Sequence, residues 1–449
     1  MTISAGFSKV DLMDIMPEQR HTEMPVSARG FYLSGNGKSS FFLVSDFMDF
    51  DLQAVTLLKE AMIPVLPENT SIHVLTTHNH GGASWFNLDM ERYSRHAVEC
   101  AKSAVANSRN AKVRIGQGDI SEPVSMIRRF FIPETGGSFT CFYGIDSVKE
   151  GNASGFRETA LKNLKNGSLT FTPEYVFSEN GKESFLSADQ SVSVMEFRSV
   201  EDDRPLGSIV RFAAHAVCCN LPDCYSSDYP GYLREMMESE LGGISLFLNG
   251  PCAEIAPAIP GKSPESGRMI AKKIATSALQ LLQKNEFQPL HNFKDTNWLI
   301  PLPVRAELLE NAGSSAIVPE QPDDLRERKR ILEQDFLHGN FPFLTGIRQN
   351  GEQGSPDTHT VSTALLQLND WNLLFFSGET FYQTAREITS HFPGKKWITV
   401  TEHGRTAMYI PPENEYNRGG YEPSCAVVSV QGEKQLREQI ISRLHEALL

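Results

Sequence analysis

The chain has 449 residues, of which 40% are hydrophobic and 22% charged. This ordinary globular usage excludes a disordered, low-hydrophobicity polypeptide. Its 42 basic residues against 55 acidic ones give a formal charge of −13, which excludes a general phosphate-binding surface and argues against nucleic acid as a partner.

The first residues, MTISAGFSKVDLMDIMPEQ, lack a basic segment followed by an apolar run, and no later stretch reaches the ~18 apolar residues of a membrane span. A cytoplasmic protein without a membrane anchor is the expectation. The seven cysteines (Cys100, Cys141, Cys218, Cys219, Cys224, Cys252 and Cys425) are scattered without a C-x-x-C pair and read as reduced thiols. Cys218 and Cys219, just after His215, are alternative thiolate ligands.

In chain order, SIHVLTTH (71–78) is a short β-branched strand, NHGGAS a glycine-containing turn, and residues 84–108 a helix. Residues 120–200, rich in Gly, Asn and Ser, read as irregular loops. SIVRFAAHAVCC (208–219) reads as a strand ending near His215, and SSDYPGYLREMMESEL (226–241) as a helix with a Ser/Asp start. A third strand, ISLFLNGPCA (244–253), precedes a helix over 263–283. Strand and helix alternate, so the class is α/β.

Further on, NWLIPLPVRAEL (297–308) is extended, and DDLRERKRILEQDF (323–336) is a helix with a solvated face. TALLQLNDWNLLFFSG (363–378) predicts a hairpin around Asn369 and Asp370, followed by a helix starting at Glu379. WITVTEHG (397–404) and a helix over 432–449 close the chain. No repeat or long linker forces a division, so residues 1–449 are expected to form one domain.

Four places carry metal-ligand chemistry. His78-x-His80 lies at a strand-to-turn boundary, where side chains two apart on an extended segment point the same way. His215 and Glu379 each end an apolar strand, and Tyr409 precedes Ile-Pro-Pro. Each has an ordinary alternative: a hydrogen-bonded core histidine, a helix-start glutamate favoured by the dipole, a packed aromatic.

Together with their flanks, these residues resemble the neutral/alkaline non-lysosomal ceramidase family. AGFSKVD (5–11) resembles its amino-terminal strand, and LTTHNHGG (75–82) its T-H-T-H-S-G-P-G-G segment. RFAAH (211–215) with SSDYPGY (226–232) is similar to its histidine strand and S-D-x-x-G-Y continuation. LFLNGPCAEIAP (246–257) resembles N-x-G-D-V-S-P; SGE (377–379), YIPP (409–412) and GGYE (419–422) resemble its glutamate and tyrosine segments.

The resemblance implies mixed sheets flanked by helices, as in the catalytic domain without the carboxy-terminal β-sandwich. It implies Zn2+ held by His78, His215, Glu379 and Tyr409, with His80 as proton donor and Tyr421 beside the scissile amide. The implied activity is metal-assisted hydrolysis of a linear amide, either ceramide-like or a smaller N-acyl amine. The same site would also suit an esterase or peptidase, and a non-catalytic small-molecule binding protein is the third reading. A substrate-contacting arginine is expected between 120 and 160, with Arg157 a candidate. Two departures stand out: Ala256 replaces the family serine, and HGGAS replaces H-S-G-P-G-G. Both weaken the expectation of a ceramide substrate.

Overall fold

A computed structural model describes residues 3–83, 87–132, 137–140, 177–179, 182–184, 188–221, 223–259, 261–306, 308 and 357–448. Arg157, the proposed helix over 323–336 and most of the 120–200 stretch lie outside them, but where that stretch is described it is largely strand rather than the expected irregular loop, with Ser191–Ser199 inside the larger sheet because its alternating apolar side chains pack on both faces.

Among the described residues the larger sheet has nine strands. From one edge to the other run Ile244–Asn249, Pro205–Phe212, Ser191–Ser199, Arg109–Asp119, Ser4–Asp11, Ser27–Gly35, Lys38–Ser45 and Thr70–Thr76, with Gln288–Pro289 also pairing to Arg109–Asp119. Pairing is parallel at both edges and antiparallel between them. A second sheet orders Phe293–Pro303, Thr358–Leu368, Trp371–Phe375 and Lys396–Val400. Pro301 and Pro303 sit on its outer strand, where a missing N–H removes no interior ladder bond.

Strand side chains alternate faces with a period of two, and each face finds a different layer. Phe42 and Val44 join Phe7, Phe197, Leu366 and Phe375 in a core between the two sheets. Phe41 and Leu43 point the other way, against the helices Leu52–Met62 and Met90–Ala106. Val194, Val210 and Phe247 meet the helices Asp228–Leu241 and Pro264–Gln283 on that same outer face. Leu374 and Phe376 turn outward onto Tyr382–Ser390 and Val430–Leu448. The result is a helix–sheet–sheet–helix arrangement of mixed α/β class.

The expected hairpin forms, with Leu368 paired to Trp371 and Asn369 at φ 52° in the turn. The expected helix at Glu379 does not begin there. Glu379–Thr380 is a two-residue strand parallel to Tyr409–Ile410, and the helix starts at Tyr382. The strand before His215 ends at Phe212, and Ser227 precedes the next helix without capping it through its side chain. Among the described residues no helix is long and apolar enough to cross a membrane.

Candidate metal centre

The site forms beyond the carboxy-terminal ends of strands that pair in parallel. Thr70–Thr76 and Pro205–Phe212 lie near opposite flanks of the large sheet, yet their extensions meet: Asn79 bridges Ala216, and His80 N–H donates to the Ala216 carbonyl at 3.1 Å. Thr401 N–H donates to the Asn249 carbonyl at 2.9 Å, bringing the second sheet to the same point. Gly81 is required in this crowded turn, because a Cβ there would lie 2.6 Å from the Ser226 carbonyl oxygen.

Asp228 and Tyr229 fix the His215 loop. The Asp228 carboxylate accepts from Cys219 N–H at 2.5 Å, and the Tyr229 hydroxyl donates to the Ala214 carbonyl at 2.7 Å. Glu379 is held by its N–H donating to the Met408 carbonyl at 2.9 Å. His78, Glu402 and Met408 adopt φ of 54°, 59° and 51°, a left-handed conformation that costs non-glycine residues ~1–3 kcal/mol each. Such strain concentrates here, around one cluster of polar side chains.

His78 Nδ1 faces the Met48 carbonyl at 3.1 Å, and His215 Nδ1 faces the Ile255 carbonyl at 2.9 Å. A carbonyl only accepts, so both Nδ1 atoms carry the proton and both Nε2 atoms turn inward. They converge on one oxygen: Glu379 Oε2 lies 3.2 Å from His78 Nε2 and 3.0 Å from His215 Nε2. His80 Nε2 is 3.4 Å from His78 Nε2. The ligand atoms of His78, His80 and His215 all lie within 4.8 Å of one another, so this buried cluster can hold a metal ion. Imidazole nitrogens with a carboxylate oxygen suit a borderline divalent cation. Cys218 and Cys219 are not in the cluster; Cys219 Sγ faces the Ser263 carbonyl at 3.5 Å.

The charges are strongly coupled. Burial opposes the charged form of His78, but Glu379 and Glu402 outweigh it and hold the imidazole well above its usual pKa. Burial likewise pushes Glu379 up, while His78 and His215 bring it well below the carboxylate range. Burial and the Arg128 charge push His215 down to about 4. Burial, with His78 and His215, keeps His80 well below its usual value.

Tyr409 lies beside Glu379 through the parallel strand pair, and its hydroxyl receives a 2.9 Å hydrogen bond from Arg128 Nη2. The Tyr409 and Tyr421 rings are 5.7 Å apart and nearly perpendicular. Burial raises both phenol pKa values. The fold thus gathers His78, His80, His215, Glu379, Tyr409 and Tyr421 in one region.

Sequence reasoning expected an arginine between 120 and 160 but singled out Arg157 rather than Arg128. Its Nε donates to Glu422 Oε1 at 2.8 Å, while Arg129 Nη1 takes Glu422 Oε2 at 2.5 Å and Arg129 Nε takes Glu415 at 2.8 Å. The available signal was Arg128-Arg129 inside the apolar run VSMIRRFFI, since two buried guanidinium groups require buried carboxylates. Glu402, the carboxylate behind His78, carried no sequence signal. Ala256 is fully buried in a short strand against Met126.

No protein-family model matches the sequence, and no curated protein matches it. Solved structures do. Neutral ceramidase from Pseudomonas aeruginosa is similar with a TM-score of 0.66 at 16% identity, over 98% of this chain and 73% of that one. A ceramidase complexed with C2 is similar with a TM-score of 0.67 at 15% identity, over 100% of this chain and 76% of that one. In fold, this chain is therefore similar to neutral ceramidase along essentially its whole length.

Proposed function

We propose that this protein is a zinc-dependent hydrolase of a linear amide bond, with His78, His215, Glu379 and Tyr409 holding the metal. The observation that carries the reading is the convergence of His78 Nε2 and His215 Nε2 on Glu379 Oε2. The likeness in fold to neutral ceramidase supports it. A Zn2+ ion bound there would supply Lewis acidity, polarising a carbonyl and making water acidic.

The protein's own groups supply the rest. His80, whose Nε2 lies 3.4 Å from His78 Nε2, would take a proton from water and pass it to the departing amine. Tyr421 stays protonated and donates to the oxygen on which charge develops. Arg128, itself held by Glu422, fixes the Tyr409 hydroxyl. The substrate is a ceramide-like molecule or a smaller N-acyl amine.

Metal analysis of protein purified without chelator tests the reading. About one zinc per chain is expected, lost in His215→Ala and Glu379→Ala. His80→Ala is expected to keep the zinc and lose amine release from a series of N-acyl amines and ceramides of graded chain length. Absence of bound metal would sink the enzyme reading. Loss of zinc in His80→Ala would instead make His80 a ligand.

A further inference from the structure

The segment carrying Glu402 joins the two loops that bear His78 and Glu379. Its carbonyl accepts from Thr76 N–H at 3.3 Å, two residues before His78, and its N–H donates to the Gly378 carbonyl at 3.4 Å, one residue before Glu379. The backbone at Glu402 is left-handed, at φ 59°, and the side chain is turned into the interior. There its Oε1 has no hydrogen-bond partner among the described residues. His78 Nδ1 faces it at 3.5 Å.

A buried carboxylate oxygen without a donor is a standing cost to the fold, so its placement calls for a compensating role. His78 offers one. The Met48 carbonyl accepts from Nδ1 and sets the ring plane, but it is neutral. Glu402 brings a second acceptor to the same ring edge, and a carboxylate behind an imidazole makes the opposite nitrogen a stronger donor to a cation.

We propose that Glu402 is the positioning residue of the metal centre, setting its affinity for a divalent cation through His78 Nδ1. This rests on the metal-centre reading above. The role requires no contact between Glu402 and metal or substrate. It also accounts for the strained backbone, which aims the carboxylate at His78 from a segment already tied to both ligand loops.

Zinc titration against a chromophoric chelator, on protein stripped of metal, tests it. Glu402→Gln is expected to bind zinc about 10–100-fold more weakly than the unmodified protein. The melting temperature of the stripped protein should change little, since the lost attraction to His78 is set against the relief of a buried charge. A merely structural role would lower it. Glu402→Asp, which keeps the charge but withdraws it from the ring, should fall between the two in affinity. Binding by Glu402→Gln within about twofold of the unmodified protein, itself binding tightly, overturns this inference alone. Failure of the unmodified protein to bind zinc overturns both the inference and the reading beneath it.

Discussion

Arg234→Met should destabilise the fold and loosen the His78 loop together. Arg234, on the helix Asp228–Leu241, meets Asp46 through two 2.7 Å hydrogen bonds, with both side chains almost fully shielded from water. At ~4 Å and an effective dielectric of ~20 the attraction is ~4 kcal/mol, much of it offset by desolvation of the two ions. Removing one partner of such a pair costs ~3–5 kcal/mol, because the other charge stays buried.

Asp46 would keep three donors: Ser27 N–H and Ser27 Oγ, each at 2.9 Å, and Thr77 Oγ1 at 3.3 Å. The expected cost is therefore at the lower end, ~3 kcal/mol, or roughly a 3 °C fall in melting temperature for a chain of this size. The Asp46 carbonyl also accepts from Asn79 Nδ2 at 3.0 Å, beside His78, so zinc affinity should fall with stability. Thermal unfolding followed by circular dichroism, paired with zinc titration, reads both quantities. Arg234→Lys, which keeps the charge but not the two-pronged geometry, should lose about half as much. A melting temperature within about 1 °C of the unmodified protein for Arg234→Met would refute the reasoning.

Burial pushes the Glu254 carboxyl up to about 8, even though both oxygens receive the Tyr382 N–H, at 2.9 and 3.1 Å. The unfolded carboxyl titrates near ~4.3, so between that value and about 8 the native state binds more protons and stability falls as pH rises. Glu254→Gln keeps an acceptor for Tyr382 without the charge. Melting curves from pH 5 to 9 should be flatter in this variant and cross above the unmodified protein at the alkaline end, by at most about 5 kcal/mol. An unchanged pH profile would contradict this. A second test concerns Gly378, at φ 61°, where an added Cβ would sit 2.8 Å from both Ala407 N and the Met408 carbonyl oxygen. Gly378→Ala should cost ~2–4 kcal/mol and part Glu379 from Tyr409, lowering zinc affinity, whereas Gly394→Ala, equally left-handed but in open space, should cost ~1–2 kcal/mol and leave zinc binding alone. Equal effects of the two on zinc titration would reject the argument.

The local pattern of the sequence determined the elements that need only neighbours along the chain. The β-branched run ending at Thr76, the hairpin at Asn369 and the amphipathic helix over Pro264–Gln283 follow from periodicity and turn chemistry, which are properties of adjacent residues. His78, His80 and His215 were legible because imidazoles at the ends of apolar strands stand out locally. Which face of each strand meets helices and which meets the second sheet was decided only by tertiary packing, as Phe41 and Phe42 illustrate.

Glu379 makes the contrast sharpest. Its sequence context predicts a helix start, but pairing with Tyr409 across the fold gives it a strand geometry and turns its carboxylate onto two histidines. Arg128 is another case, since the carboxylate that makes its burial tolerable is Glu422, 294 positions away. Local propensity is worth tenths of a kcal/mol per residue, whereas an unpaired buried charge costs several, so long-range partners override it. The sequence by itself supplied the donors; only the tertiary structure, by bringing charges from distant strands into one dry region, decided which of them face each other.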